Sequence, residues 1–167
     1  TEIHGLSELK DISVDMDISF FHTPHDSEES VGYKLCFGEH KVACCTDLGY
    51  VTDEVRTNLL GCDTVYIEAN YDPKLLNINP KYPVYLKKRI SGDHGHLSNI
   101  NSAEFCAQLV DSGARRLILG HLSQENNTPR MAYDTVEKKL KSFGMTCGID
   151  YTIDVAPVKT DGKYIII

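Results

Sequence analysis

The sequence predicts a single α/β unit, and three observations carry that expectation. Short β-like runs alternate with stretches whose apolar residues recur at helical spacing. Caps and glycines punctuate the ends of those stretches. A His, Asp or Glu then stands just beyond five of the β-like or turn segments. They are His25 in Thr23-Pro24-His25-Asp26-Ser27, Asp47 in Thr46-Asp47-Leu48-Gly49-Tyr50, Glu68 in Ile67-Glu68-Ala69-Asn70, His96 in Gly95-His96-Leu97-Ser98-Asn99, and His121 in Leu119-Gly120-His121-Leu122-Ser123. Open α/β sheets collect their chemistry beyond strand ends, so the order of these residues points to one site.

Each element has its own justification. Val14-Phe21, Val31-Phe37 and His40-Thr46 read as strands, with Gly38-Glu39 as a two-residue hairpin connection. After Asp47 the chain turns at Gly49, and Thr52-Asp53-Glu54 supplies an N-cap and first-turn acids for a helix to about Leu60. Thr64-Ala69 is the next strand. The proline-punctuated stretch from Asp72 to Pro83 predicts a loop with at most one helical turn. Asn101 as N-cap with Glu104 at N3 opens a helix whose stripe is Ala103, Cys106, Leu109 and Val110, ending before Gly113. Arg116-Leu119 is a buried strand. Thr128-Pro129 opens a last helix with Ala132, Val136, Leu140 and Phe143 on one face, stopped at Gly144. Tyr151-Ala156 and Tyr164-Ile167 close the chain as strands.

Composition bounds the function. A length of 167 residues and a hydrophobic share of 41% suit one domain with a sizeable core. No apolar run reaches the ~20 residues of a membrane span, and no basic start leads into an apolar signal core. None of the six cysteines forms a C-x-x-C pair, and most sit in apolar runs such as Val42-Ala43-Cys44-Cys45. Reduced thiols in a cytoplasmic protein are the expected reading. The net charge of −7 argues against a generally basic nucleic-acid-binding surface. Lys81, Lys87, Lys88 and Arg89 form a local basic cluster, read either as a phosphate-holding patch or as the solvated face of a short helix.

In their order, the five motifs resemble those of metallo-β-lactamase-fold hydrolases. The resemblance is to the phosphodiesterase branch that includes the tRNA 3′-processing endonuclease RNase Z, and more closely to the bacterial WalJ/YycJ-type exonucleases. It runs from about Ile18 to Phe143. It implies the C-terminal half of an αββα sandwich, a mixed sheet with flanking helices. It also implies metal-ligand roles for His25, Asp47 and His121, Asp47 being the bridge between two divalent ions, zinc or manganese. Glu68 and His96 match the Glu-Ala and Gly-His-Leu-Ser motifs of that branch, where the histidine assists proton transfer at the leaving group. The implied substrate is nucleic acid, DNA or RNA, with Lys87, Lys88 and Arg89 as the substrate-binding cations.

The chain departs from the pattern in one respect. The signature His-x-His-x-Asp-His, which supplies most ligands of the dinuclear site, is absent from all 167 residues, and the chain starts at Thr1. Residues 1–167 are therefore expected to be the C-terminal portion of a larger hydrolase domain, inactive alone, with a complementary N-terminal half or a second copy as partner. The alternative is a non-catalytic or degenerate module that acts only beside a partner chain.

The chemistry explains the residue types. Zinc takes neutral imidazole and carboxylate. A carboxylate between ions ~3.5–4 Å apart neutralises both charges while their shared water becomes acidic. Bland readings stand beside these roles: His25-Asp26 as a loop pair, Asp47 as support for a turn, His121 as a backbone-bonded loop residue, and His96 as the holder of the Gly95-Asn99 turn. Glu68 either takes part in proton transfer or orients a histidine. Ser123, Asn126 and Asn127 read as shapers of the turn after His121.

Overall fold

A computed structural model describes residues 16–158. Strands β1 (Met16–His22), β2 (Val31–Phe37) and β3 (His40–Cys45) form an antiparallel meander. The β2–β3 connection is the expected two-residue turn, since Phe37 pairs with His40. From β3 onward every connection is a crossover, and β4 (Thr64–Glu68), β5 (Arg116–Gly120) and β6 (Thr152–Val155) add in parallel. The six strands lie in chain order, giving a mixed sheet.

Helices fill the crossovers. Helix α1 (Asp53–Leu59) joins β3 to β4; α2 (Pro73–Ile78), α3 (Val84–Ile90) and α4 (Asn99–Asp111) lie between β4 and β5; α5 (Pro129–Ser142) leads to β6. One sheet face carries Phe21, Ala43, Cys45, Val65, Ile67, Leu117, Leu119 and Ile153. It forms one core with Val55 and Leu59 of α1, Phe105 and Leu109 of α4, and Val136 and Leu140 of α5. Each such side chain contributes about 1.5–3 kcal/mol when buried, so the helices are held by packing more than by propensity.

Three local expectations are corrected. Ser98, not Asn101, caps α4, its hydroxyl accepting from the Asn101 N–H at 3.1 Å. The stretch after Asp72 is a six-residue helix rather than a loop: the Asp72 carboxylate accepts from Lys74 and Leu75 N–H, both at 2.9 Å, and Pro73 sits at N1. Phe143 is 60% exposed, because α5 ends at Ser142 and its cap residue turns away from the buried stripe. Tyr164–Ile167 lies outside the described residues. Among those described, no helix is long and apolar enough to cross a membrane.

Candidate metal centre

The site forms where the parallel strands end. Asp47 lies two residues beyond β3, Glu68 is the last residue of β4, and His121 follows β5 directly. His96 precedes the Ser98 cap of α4, and His25 comes from the β1–β2 connection. Asp47 and His121 have φ of 55° and 54°, the only left-handed non-glycine residues among those described. Such backbones cost about 1–3 kcal/mol each and persist where the surroundings over-determine them.

Glu68 is the hub. Its side chain is fully buried and meets four N–H groups. Oε1 faces His96 Nδ1 at 2.9 Å and His121 Nδ1 at 2.5 Å, while Oε2 accepts from Leu97 N at 2.9 Å and Leu48 N at 3.2 Å. Four partners fill the acceptor positions of a carboxylate. Burial pushes its pKa up, but the bonds from His121 and His96 outweigh that and hold it below the ordinary value. The same bond from Glu68 raises the pKa of His121 against the opposing effect of burial.

His25 is oriented from the other side. Its Nδ1 faces the Gly95 carbonyl at 2.9 Å, which leaves Nε2 3.5 Å from Asp47 Oδ1. A side chain at Gly95 would overlap the Arg89 and Ile90 carbonyls, so glycine is what lets this loop pack against the end of α3. Asp47 Oδ1 also lies 3.7 Å from Nδ1 of both His96 and His121. The His96 ring stands between the other two, its centroid 4.9 Å from that of His25 and 5.3 Å from that of His121.

The structure thus gathers all five histidine and carboxylate candidates. Ligand atoms of Asp47, Glu68, His96 and His121 lie within 4.8 Å of one another, and His25 joins them through Asp47. The imidazole and carboxylate donor set fits a zinc- or manganese-type ion. With Nδ1 of His25 and His121 engaged by a carbonyl and a carboxylate, Nε2 is the nitrogen left for a metal.

The three cations are placed unevenly. Arg89 forms a two-pronged ion pair with Asp26 and borders a pocket of about 210 Å³ lined by His25, Asp26, Ile90, Gly95 and His96. Lys87 Nζ donates to the Asn77 carbonyl at 2.6 Å, and Lys88 is exposed. Neither lysine lines that pocket. Sequence reasoning missed Asn70 and Asn99, which are buried beside the site. Their positions within the Glu68 and His96 motifs were the available signal.

A mixed sheet with helices in its crossovers thus brings a His/Asp/Glu cluster to the strand ends. Residues 1–122 match the beta-lactamase superfamily domain, and the chain belongs to that superfamily. Exodeoxyribonuclease WalJ of Streptococcus pneumoniae serotype 2 is 33% identical over 144 residues, which cover 86% of this chain and 53% of that protein. Exodeoxyribonuclease YycJ of Bacillus anthracis is 30% identical over 139 residues, covering 83% and 52%. The chain therefore spans about half the length of the curated relatives it matches. Among solved structures, the metallo-beta-lactamase fold protein YhfI from Bacillus subtilis superposes with a TM-score of 0.54 at 18% identity, over 84% of this chain and 46% of that one. Zn(2+)-bound PqqB from Methylobacterium extorquens gives 0.54 at 16%, over 84% and 48%. These two likenesses concern the fold alone.

Proposed function

We propose that this chain carries one half of a metal-dependent phosphodiester hydrolase acting on nucleic acid, a nuclease of the WalJ/YycJ kind. The observation that carries this reading is the convergence of Asp47, Glu68, His96 and His121, with His25 alongside, at the ends of three parallel strands. The names of its exodeoxyribonuclease relatives support the substrate class.

The residues divide the work. Asp47, His25 and His121 would hold the divalent ions, the two histidines through Nε2. When bound, the ions supply Lewis acidity and an acidified water. Glu68, with its acceptor positions already filled, orients both imidazoles rather than binding metal. His96, backed by that carboxylate, presents its free nitrogen to the departing oxygen and donates the proton. Arg89 borders the pocket beside His25, while Lys87 and Lys88 hold the phosphate backbone farther along α3.

Three protein ligands would be too few to hold two divalent ions tightly. The site is therefore completed by residues outside this chain, from the other half of the domain. The test compares the chain alone with the chain joined to that half, by elemental analysis after dialysis and by degradation of a labelled oligonucleotide. The joined protein should hold two ions and degrade the oligonucleotide, and the chain alone should do neither. Two zinc ions retained stoichiometrically by the 167-residue chain would overturn the shared site. A joined, metal-loaded protein that leaves DNA and RNA intact would overturn the nuclease reading.

A further inference from the structure

A buried asparagine follows each of Glu68, His96 and His121, and the Asn127 amide bonds both the Asn99 side chain and the Asn70 carbonyl. Asn70 follows Glu68 by two positions, Asn99 follows His96 by three, and Asn127 follows His121 by six. Their exposures are 8%, 0% and 6%. Asn99 and Asn127 form a reciprocal amide pair, each Nδ2 donating to the other's Oδ1 at 2.9 Å. Asn127 Nδ2 also reaches the carbonyls of Ala69 at 2.8 Å and Asn70 at 3.0 Å, and its Oδ1 accepts from Thr128 N at 2.9 Å. A side-chain amide suits this because it carries two N–H donors beside a carbonyl acceptor, whereas a carboxylate has no donor.

The third amide reaches the site. Asn70 Nδ2 donates to the His121 carbonyl at 2.7 Å. On the other side of that residue the Tyr66 ring passes over Gly120, where any side chain would overlap it. His121 is thus held at its carbonyl and its ring, while its backbone sits at φ 54°. Buried amide networks that are fully satisfied rigidify what they touch.

We infer that Asn70, Asn99 and Asn127 form a clasp that positions His121, fixing its Nδ1 against Glu68 and so deciding which ring nitrogen is left free. The role is one of positioning: none of the three amides touches the ligand atoms. It stands whether or not the hydrolase acts on nucleic acid.

The experiment reads the histidine rings of the metal-free, 15N-labelled chain by long-range proton–nitrogen correlation at mildly alkaline pH. In the wild type His121 should carry its proton on Nδ1. Asn70→Ala and Asn127→Asp should each shift the His121 nitrogens to the averaged signals of an unrestrained ring, under conditions where circular dichroism shows the variant folded. Thr52→Ala, which removes the α1 cap bond to Val55, lowers stability without touching the clasp and should leave the His121 signals in place. If Asn127→Asp does not fold, Asn70→Ala decides. An Asn70→Ala protein with wild-type His121 signals overturns the inference. So does the failure of both variants to fold, which would make the amides structural only.

Discussion

Glu68 links the electrostatics of the site to the stability of the chain. Its folded pKa lies below the ordinary 4.5, so its contribution is present above that value and is lost as pH falls through the lowered one. The folded pKa of His121 lies above the ordinary 6.5, so its contribution is present below 6.5 and is lost as pH rises through the raised value. For the metal-free chain this pair is worth most between those two ordinary values. Urea midpoints measured across pH should show the wild type gaining most over Glu68→Gln in that window. Parallel curves at all pH would mean that the pair does not act as described. In the metal-loaded joined protein, Asp47→Ala should lower metal content and turnover together. His96→Ala should keep the metal and lose ~10²–10⁴-fold in turnover, less with an activated leaving group such as p-nitrophenolate. Metal stripped equally by both substitutions would make His96 a ligand.

At the scale of elements, α3 separates two kinds of cation. Both Arg89 and Lys88 are exposed, but Arg89 is committed to Asp26, next to His25. Lys88→Ala should therefore reduce the slope of log K against log salt for oligonucleotide binding by about one, with metal content unchanged. Arg89→Ala should instead loosen the His25 loop and lower metal content. Anisotropy titrations at several salt concentrations check this, and an unchanged slope in Lys88→Ala would remove that lysine from the substrate path. Much at this scale was legible in the sequence, because strands, caps and the strand-end residues are set by local pattern. Helix α2 was obscured: Asp72-Pro73 is a sound helix start, yet Pro80 and Pro83 downstream dominate the reading. Ser98 and Asn101 are equally good caps in isolation, and only packing chose between them. Asn70 and Asn99 stand inside the Glu68 and His96 motifs, yet the clasp was not read from them because asparagine near a turn is common. What distinguishes these three is contact between segments as far as 57 positions apart.

Over the whole molecule, the sheet is covered unequally. On the face opposite the helices, register aligns Phe20, Tyr33, Cys44, Tyr66 and Ile118 in one row across five strands. Ile18, Leu35 and Val42 lie in the next row. The rows end on the charged pair Arg116–Asp154, at 2.9 Å. Phe20 is 62% exposed, Ile18 38% and Tyr33 37%. Sheets pack face to face about 10 Å apart when both present such rows, and a contiguous apolar patch of this kind marks an interaction surface. The resemblance to an αββα sandwich implied such a face, but which residues form it follows only from strand register. The chain alone should therefore self-associate through this face, with dye-accessible hydrophobic surface, and a Phe20→Lys substitution at its most exposed aromatic should shift sedimentation toward monomer while leaving circular dichroism unchanged. A wild-type chain that sediments as a monomer at high concentration and binds no dye would show that the face needs no cover, and would remove the physical reason for expecting a second sheet over it.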